Sequence, residues 1–301
     1  MSSSPFVDGF TAASEQGRIC ALAARGHRDL QQRVAAYPRL FPDPPVDGAM
    51  LGALAMSTAF IAPWCTAEQL RIANRASLWV TAEDWQIDFS ATSWEAVEST
   101  VSSCLAVADG GTPADDDDLG RFLAEIRDEL ATRPAFAALR SAWREEVRRM
   151  LTADAREWRW RSARTLGGWS PPTLAEYLDN ADNYGASFVN VSHWIATSEP
   201  DVLAHLPELT AASREAQQAI RLVNDLASYE RDVRSGDLNA LMLGVDREKM
   251  TRHIADQLDR CRKSLEDLAG SCPQEALYLA REIGFTSGFY HGTDFWGSFD
   301  R

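Results

Sequence analysis

The chain has 301 residues, with 30 basic against 44 acidic side chains and a formal net charge of −14. That balance opposes binding to nucleic acid, and an anionic small molecule would need cations or a local cluster of arginines to be held. The 45% hydrophobic content supplies a sizeable core. Five scattered cysteines without C-x-x-C spacing read as reduced thiols of a cytoplasmic protein. The opening MSSSPFVDGF lacks a basic start followed by an apolar run, so no secretory signal is expected.

Taken in order, residues 1–10 read as a flexible arm. Apolar positions such as Ile19, Leu22, Ala23, Leu30 and Val34 then predict an amphipathic helix over 11–36, ended by YPRLFPDPP. A second helix is expected over 47–61, and a third from Thr66 to the acidic pair Asp84 and Asp88. The longest apolar run, Ala49 to Cys65, is too short for a membrane span and is broken by Pro63, so it reads as buried helix. Ser93 is placed to cap a helix over 94–107. The conspicuous run Asp115–Asp118 follows Gly110, Gly111 and Pro113 and precedes an apolar-periodic segment. Carboxylates there favour the positive end of a helix dipole, so the run reads as a helix start and not a metal site.

Two further helices are expected over 119–132 and 134–164, the second carrying REWRWRSAR. Its arginines read as surface ion pairs, and Trp158 and Trp160, two positions apart, cannot share a face. A long helix over 173–197 has Gly185 in its middle, where glycine costs about 1 kcal/mol relative to alanine and so marks a bend or a close backbone approach. Helices over 211–235, 247–269 and 273–296 complete the chain. No segment alternates apolar and polar with β-branched enrichment, and no fixed period repeats. The expected fold class is all-α: a single domain over 1–301, a helical bundle.

The chemistry sits in RLVNDLASYERD, residues 221–232. Asn224, Ser228 and Asp232 recur every four residues and project from one helix face over about two turns. An amide oxygen, a hydroxyl and a carboxylate in a row suit a hard cation such as Mg²⁺. Asp84 and Asp88, also four apart, supply a second oxygen-bearing face about 140 residues upstream. Counting Glu83 instead shifts that register by one, and both readings stay open. The five histidines form no ligand-spaced cluster, and no phosphate-loop pattern is present.

The row N-D-x-x-S-x-x-[RK]-[DE], filled by Asn224, Asp225, Ser228, Arg231 and Asp232 and followed by Gly236, Asp237 and Asn239, resembles the second metal-binding motif of class I terpene synthases. The resemblance implies an α-helical fold with a central active-site cavity over nearly the whole length. It implies a lyase that ionises an allylic isoprenoid diphosphate with loss of pyrophosphate, using Mg²⁺, three ions once substrate is bound. The implied ligands are Asp84, Asp88, Asn224, Ser228 and Asp232, although Trp85 stands where the second aspartate of D-D-x-x-D would fall. Arg231 would contact the diphosphate, with Arg221 a second candidate. The family's broken helix would place its break at Gly185. Its diphosphate-sensing arginine has no counterpart between Arg164 and Arg214, where Asn180, Ala181 and Asp182 stand instead, and its C-terminal Arg-Tyr pair reduces to Arg301.

Ring faces that steady a carbocation would come from Trp79, Phe89, Tyr184, Phe188 and Trp194, and from Phe289, Tyr290 and Trp296. The Asn-Ser-Asp row argues against chain-elongating prenyl synthases, which carry two aspartate-rich motifs. The segment EYLDNADNYGASF and the short C-terminus are similar to bacterial diterpene synthases of the kaurene- and terpentetriene-synthase type, implying a bicyclic C20 diphosphate. The alternatives are a sesquiterpene synthase using farnesyl diphosphate and a non-catalytic helical interaction protein of the same fold. The implied partner is the isoprenoid diphosphate, a homodimer is compatible with the family, and neither nucleic acid nor a membrane span is expected.

Overall fold

Twelve α-helices and no strand make up the regular backbone of the residues described by the computed structural model, 5–42, 46–166 and 170–296. They are α1 (Pro5–Ala36), α2 (Gly48–Ile61), α3 (Arg71–Asp84), α4 (Trp94–Ala108), α5 (Asp118–Ala131) and α6 (Phe136–Leu166). Then come α7 (Leu174–Asp179), α8 (Ala186–Thr197), α9 (Pro200–Leu203), α10 (Leu206–Ser235), α11 (Arg247–Leu268) and α12 (Pro273–Gly292). None is long and apolar enough to cross a membrane.

The starts follow from side-chain caps on otherwise unpaired amides. Asp47 accepts from Ala49 N and Met50 N at 2.9 Å, and Ser93 accepts from Ala96 N at 3.3 Å. Thr173 and Glu176 form a reciprocal capping box. Within the acidic run, Asp117 caps α5 through Gly120 N at 2.8 Å, while Asp118 pairs with Arg39 at 3.0 Å and Arg121 at 3.2 Å. The run therefore serves a helix start, as its position predicts.

Several boundaries differ from expectation. The helical path already runs through Pro5–Phe10, so the expected arm over 1–10 is helix from residue 5, its side chains exposed from Asp8 to Arg18. Helix α3 starts at Arg71 and passes after Asp84 into a π-helical turn, Trp85–Ser90, with Ala91 N bonding Gln86 O at 2.9 Å. The helix expected over 173–197 is three pieces: α7, a 3₁₀ turn over Ala181–Tyr184, and α8. The last helix ends at Gly292, and Arg301 lies outside the described residues.

Helix α8 is buried along nearly its whole length, packed among α3, α6 and α10. Its own Phe188 and Trp194, with Trp79, Trp143 and Phe122 around them, form a fully buried aromatic centre. Apolar α2 lies between α1, α3 and α12, and Arg281 of α12 donates to its terminal carbonyls, Phe60 O at 2.8 Å and Ile61 O at 3.1 Å. A smaller cluster of Tyr177, Leu222, Leu238, Ala240 and Met250 anchors the turn after α10. Trp158 packs on the main core and Trp160 on this cluster, so the two tryptophans do serve opposite sides of α6.

Candidate active site

Between α2, α3, α8, α10 and α12 lies a cavity of about 260 Å³. Asp84 and Asp88 form one wall, and Asn224, Arg231 and Asp232 of α10 line another, with Arg221 below them and Tyr184 and Gly185 at the broken helix. The two oxygen-bearing faces, far apart in the chain, thus look into one space. Ser228 is buried behind the wall and donates its hydroxyl to Asp232 Oδ2 at 2.6 Å. Leu54, Ile61, Val80 and Val189 give the cavity an apolar side.

The motif's tail explains itself locally. Gly236, at φ 83°, ends α10 in the left-handed region and turns the chain back. Asn239 then donates to Asp232 Oδ2 at 2.8 Å and to Asp225 O at 2.9 Å. Asp225, although within the motif, faces Tyr177 OH at 3.0 Å and Ala240 N at 3.2 Å, tying the turn down rather than reaching for a ligand.

Arg231 reaches Asp232 at 3.1 Å and Asp294 at 2.6 Å. Arg221 is enclosed: both Glu157 oxygens lie 2.9 Å from its Nη2, Nε donates to Tyr177 OH at 2.8 Å, and Nη1 contacts Asn183. At the mouth, Trp296 packs tilted against Trp85 and Phe89 with ring centroids at 6.2 and 5.7 Å.

The break in the long helix falls at Gly185, at φ 75°. A Cβ there would stand 2.6 Å from Val80 Cγ1, so α3 and α8 approach this closely only over glycine.

Eight acidic residues line the cavity (Asp84, Asp88, Glu157, Asp225, Asp232, Asp237, Glu282 and Asp294) against two arginines, Arg221 and Arg231. The excess negative charge shows in the acids themselves. Enclosure, with Asp237 and Glu157 nearby, pushes Asp84 up to about 7, and enclosure together with Asp84 raises Asp88 well above the usual carboxylate range. Asp88 Oδ1 is sealed without a hydrogen bond, its nearest cation being Arg161 at 3.0 Å. Oxygen-only donors with too little countercharge fit a hard divalent cation. Among the described residues no three of His, Cys, Asp and Glu converge tightly enough to hold a metal alone.

Four expected cavity residues lie elsewhere. Trp79 is fully buried, donating to Leu119 O at 3.0 Å, and Phe188 sits between it and Trp143, at 5.4 and 6.0 Å. Both face α5 and α6, while their neighbours Val80 and Val189 turn to the cavity. Trp194 is also core, and Phe289 stacks on Phe285 and Phe295. Glu83, the alternative ligand, points away from the cavity and is buried beside Asp154.

Sequence reasoning missed Glu157 and Arg161 of α6, Glu282 of α12 and Asp294. Arg161, read as a surface cation, lies between Asp88 at 3.0 Å and Asp237 at 3.3 Å. Its signal was the spacing Asp154, Glu157, Arg161, which stacks ionisable groups on one face of a long helix.

The family model described as Terpene synthase family 2, C-terminal metal binding, matches residues 77–264. Ent-pimara-9(11),15-diene synthase from Streptomyces sp. (strain KO-3988) is 30% identical over 278 residues, covering 90% of this chain and 91% of that protein. The fold is similar to 2-methylisoborneol synthase from Streptomyces coelicolor A3(2), solved with Mg²⁺ and geranyl-S-thiolodiphosphate: TM-score 0.69, 17% identity, 94% of this chain and 92% of that one. It is also similar to isoprene synthase from grey poplar (Populus x canescens), solved with three Mg²⁺ ions and dimethylallyl-S-thiolodiphosphate, at TM-score 0.66 and 17% identity. That match covers 91% of this chain but only 55% of the poplar enzyme's length.

Proposed function

Since this chain belongs to the terpene synthase family, whose members are lyases acting on prenyl diphosphates, we propose that it ionises a bicyclic C20 allylic diphosphate and converts it to a diterpene. The observation that carries the reading is the meeting of Asp84 and Asp88 with Asn224 and Asp232 around one cavity that is apolar on its other side. The C20 substrate is supported by the Streptomyces relative, a diterpene synthase similar along nine-tenths of the chain.

Asp84, Asp88, Asn224 and Asp232 would hold Mg²⁺, three ions once substrate is bound, with Ser228 of the same row, expected as a ligand but buried behind the wall, steadying Asp232 through its hydroxyl. When bound, the metal neutralises the diphosphate and makes it a better leaving group. Arg231 sits within reach of the same end of the cavity and would exchange its contact with Asp294 for a diphosphate oxygen. Arg221 takes the role of a diphosphate reader from α10, since the segment around the break carries no arginine; its contact with Asn183 links it to the turn before Gly185. As the carbon–oxygen bond breaks, its electron pair leaves with the diphosphate, and these two guanidinium groups meet the growing charge. Phe89, Tyr184, Tyr290 and Trp296 present aromatic groups to the carbocation left behind, and their packing keeps water from it.

The experiment is to incubate the protein with Mg²⁺ and, separately, a bicyclic C20, a linear C20 and farnesyl diphosphate, measuring diphosphate release and hydrocarbon products. Release is expected with the bicyclic substrate and is expected to fall by about a hundredfold or more in Asp84→Ala and Asn224→Ala. Turnover of farnesyl diphosphate alone would reassign the substrate class. No release from any of them would point to a binding protein and end the enzymatic reading.

A further inference from the structure

One carboxyl in the cavity takes no part in that ionisation. Glu282 of α12 is 6% exposed and lines the cavity. Its Oε2 accepts from Asn190 Nδ2 at 2.9 Å, and its other oxygen opens on the cavity without a hydrogen-bond partner among the described residues. The comparably buried Glu146 and Glu157 each hold an arginine, Arg214 and Arg221. Glu282 holds none among the described residues, although burying a carboxylate without countercharge is unfavourable.

Its depth is measurable along two helices. Asn190 also donates to Ser213 Oγ at 2.9 Å, and Ser213 precedes Asn224 by eleven residues on α10, about 16 Å along the axis. On α12, Glu282 precedes Tyr290 by eight residues, about 12 Å. Tyr290 hydrogen-bonds Tyr184 at 2.9 Å and the side chain of Asn224. The carboxyl therefore lies far below the metal motif, at the end a prenyl chain would occupy when its diphosphate sits at the mouth.

Resting on the terpene synthase reading above, we propose that Glu282 is the base that ends the reaction, its open oxygen taking a proton from the carbon beside the last carbocation. The C–H bond breaks and its electron pair becomes the carbon–carbon double bond of the product. The proton becomes the O–H of Glu282, so the positive charge on the substrate and the negative charge on the carboxylate vanish together, and the acid returns the proton to water after product leaves. Asn190 is a positioning residue: Tyr278 OH donates to its Oδ1 at 2.9 Å and fixes the amide that fixes the carboxylate. Enclosure pushes Glu282 up to about 8, so near neutrality the carboxylate that acts as base is the minority form in equilibrium with the acid, and the olefin share should rise as pH climbs toward 8.

Glu282→Gln keeps the volume and Asn190's acceptor but removes the base. Native protein, Glu282→Gln and Glu282→Asp would each be given Mg²⁺ and the three diphosphates named above, with diphosphate release and products measured side by side. Release by the glutamine variant is expected within about threefold of native, while the native olefin falls at least about tenfold in favour of alcohols or other isomers. Glu282→Asp is expected to recover part of the olefin. The same olefin from the glutamine variant at the same yield per diphosphate released would overturn the proposal. So would release falling in step with product, which marks an ionisation defect, or deuterium in the native olefin made in D₂O, which marks a proton donor. Absence of release from native protein with all three substrates would overturn the enzymatic reading and this inference together.

Discussion

Asp232 is oriented by three donors close to it in sequence: Ser228 Oγ at 2.6 Å, Asn239 Nδ2 at 2.8 Å and Arg231 Nη2 at 3.1 Å. As a proposed Mg²⁺ ligand, Asp232 held this way would be set before the metal arrives, and residues that orient ligands typically carry ten- to a hundredfold of metal affinity or activity. Asn239→Ala removes one donor to the Asp232 carboxylate, and a bond to the Asp225 backbone carbonyl, while leaving the cavity's other carboxylate groups in place. It is expected to raise the Mg²⁺ concentration for half-maximal diphosphate release by about tenfold or more, read from a Mg²⁺ titration. Glu282 gives a stability counterpart. Its carboxyl is raised from 4.5 to about 8 in the fold, so between those values the folded chain binds a proton that the unfolded chain has released. Stability contributed by this residue is therefore lost as pH climbs through that window, by roughly 3 kcal/mol near neutrality. Glu282→Gln should melt at the same temperature as native near pH 4 and several degrees higher at pH 8. Parallel melting curves at both pH values would show that the carboxyl is solvated in the fold.

At the scale of elements, the break between α7 and α8 sets how closely α3 and α8 approach beside the cavity. Gly185 supplies both the left-handed backbone and the missing Cβ that Val80 Cγ1 would meet at 2.6 Å. Gly185→Ala is expected to lower stability by roughly 1–3 kcal/mol in a thermal melt and to widen the α3–α8 contact beside Tyr184. An unchanged melt would mean that the backbone relaxes there without strain. This break was legible because a glycine inside an otherwise helical stretch has few other reasons to be there. The two oxygen-bearing faces were legible for a similar reason, since ligands spaced by four need only helical geometry to align. The neighbours of those faces were not. Arg161 and Glu157 look like any surface ion-pair formers, because a polar helix face turned to a cavity and one turned to solvent have the same spacing. Trp79 and Phe188 failed in the opposite sense: one residue of rotation on α3 and α8 puts Val80 and Val189 at the cavity and the aromatics in the core, and aromatic character alone does not reveal which.

Across the whole molecule, a net charge of −14 surrounds a cavity whose lining carries eight acids and two arginines. Such a field repels a polyphosphate approaching alone, so affinity for the anion and for the cation must be coupled. Under the proposed function each would change the other's binding by the same factor, because a cation among Asp84, Asp88 and Asp237 would remove their repulsion while the anion would supply the oxygens that the two walls cannot. The coupling is measurable without any reaction. Inorganic diphosphate alone should leave the melting temperature nearly unchanged and Mg²⁺ alone should raise it slightly. The two together should raise it by more than the sum, corresponding to about 2.7 kcal/mol of stabilisation when diphosphate exceeds its dissociation constant for the Mg²⁺-loaded protein a hundredfold. Removing the metal with a chelator should return the curve to that of diphosphate alone. Stabilisation by diphosphate that survives the chelator would mean that Arg221 and Arg231 hold the anion unaided, and that the acidic walls serve the fold rather than the chemistry.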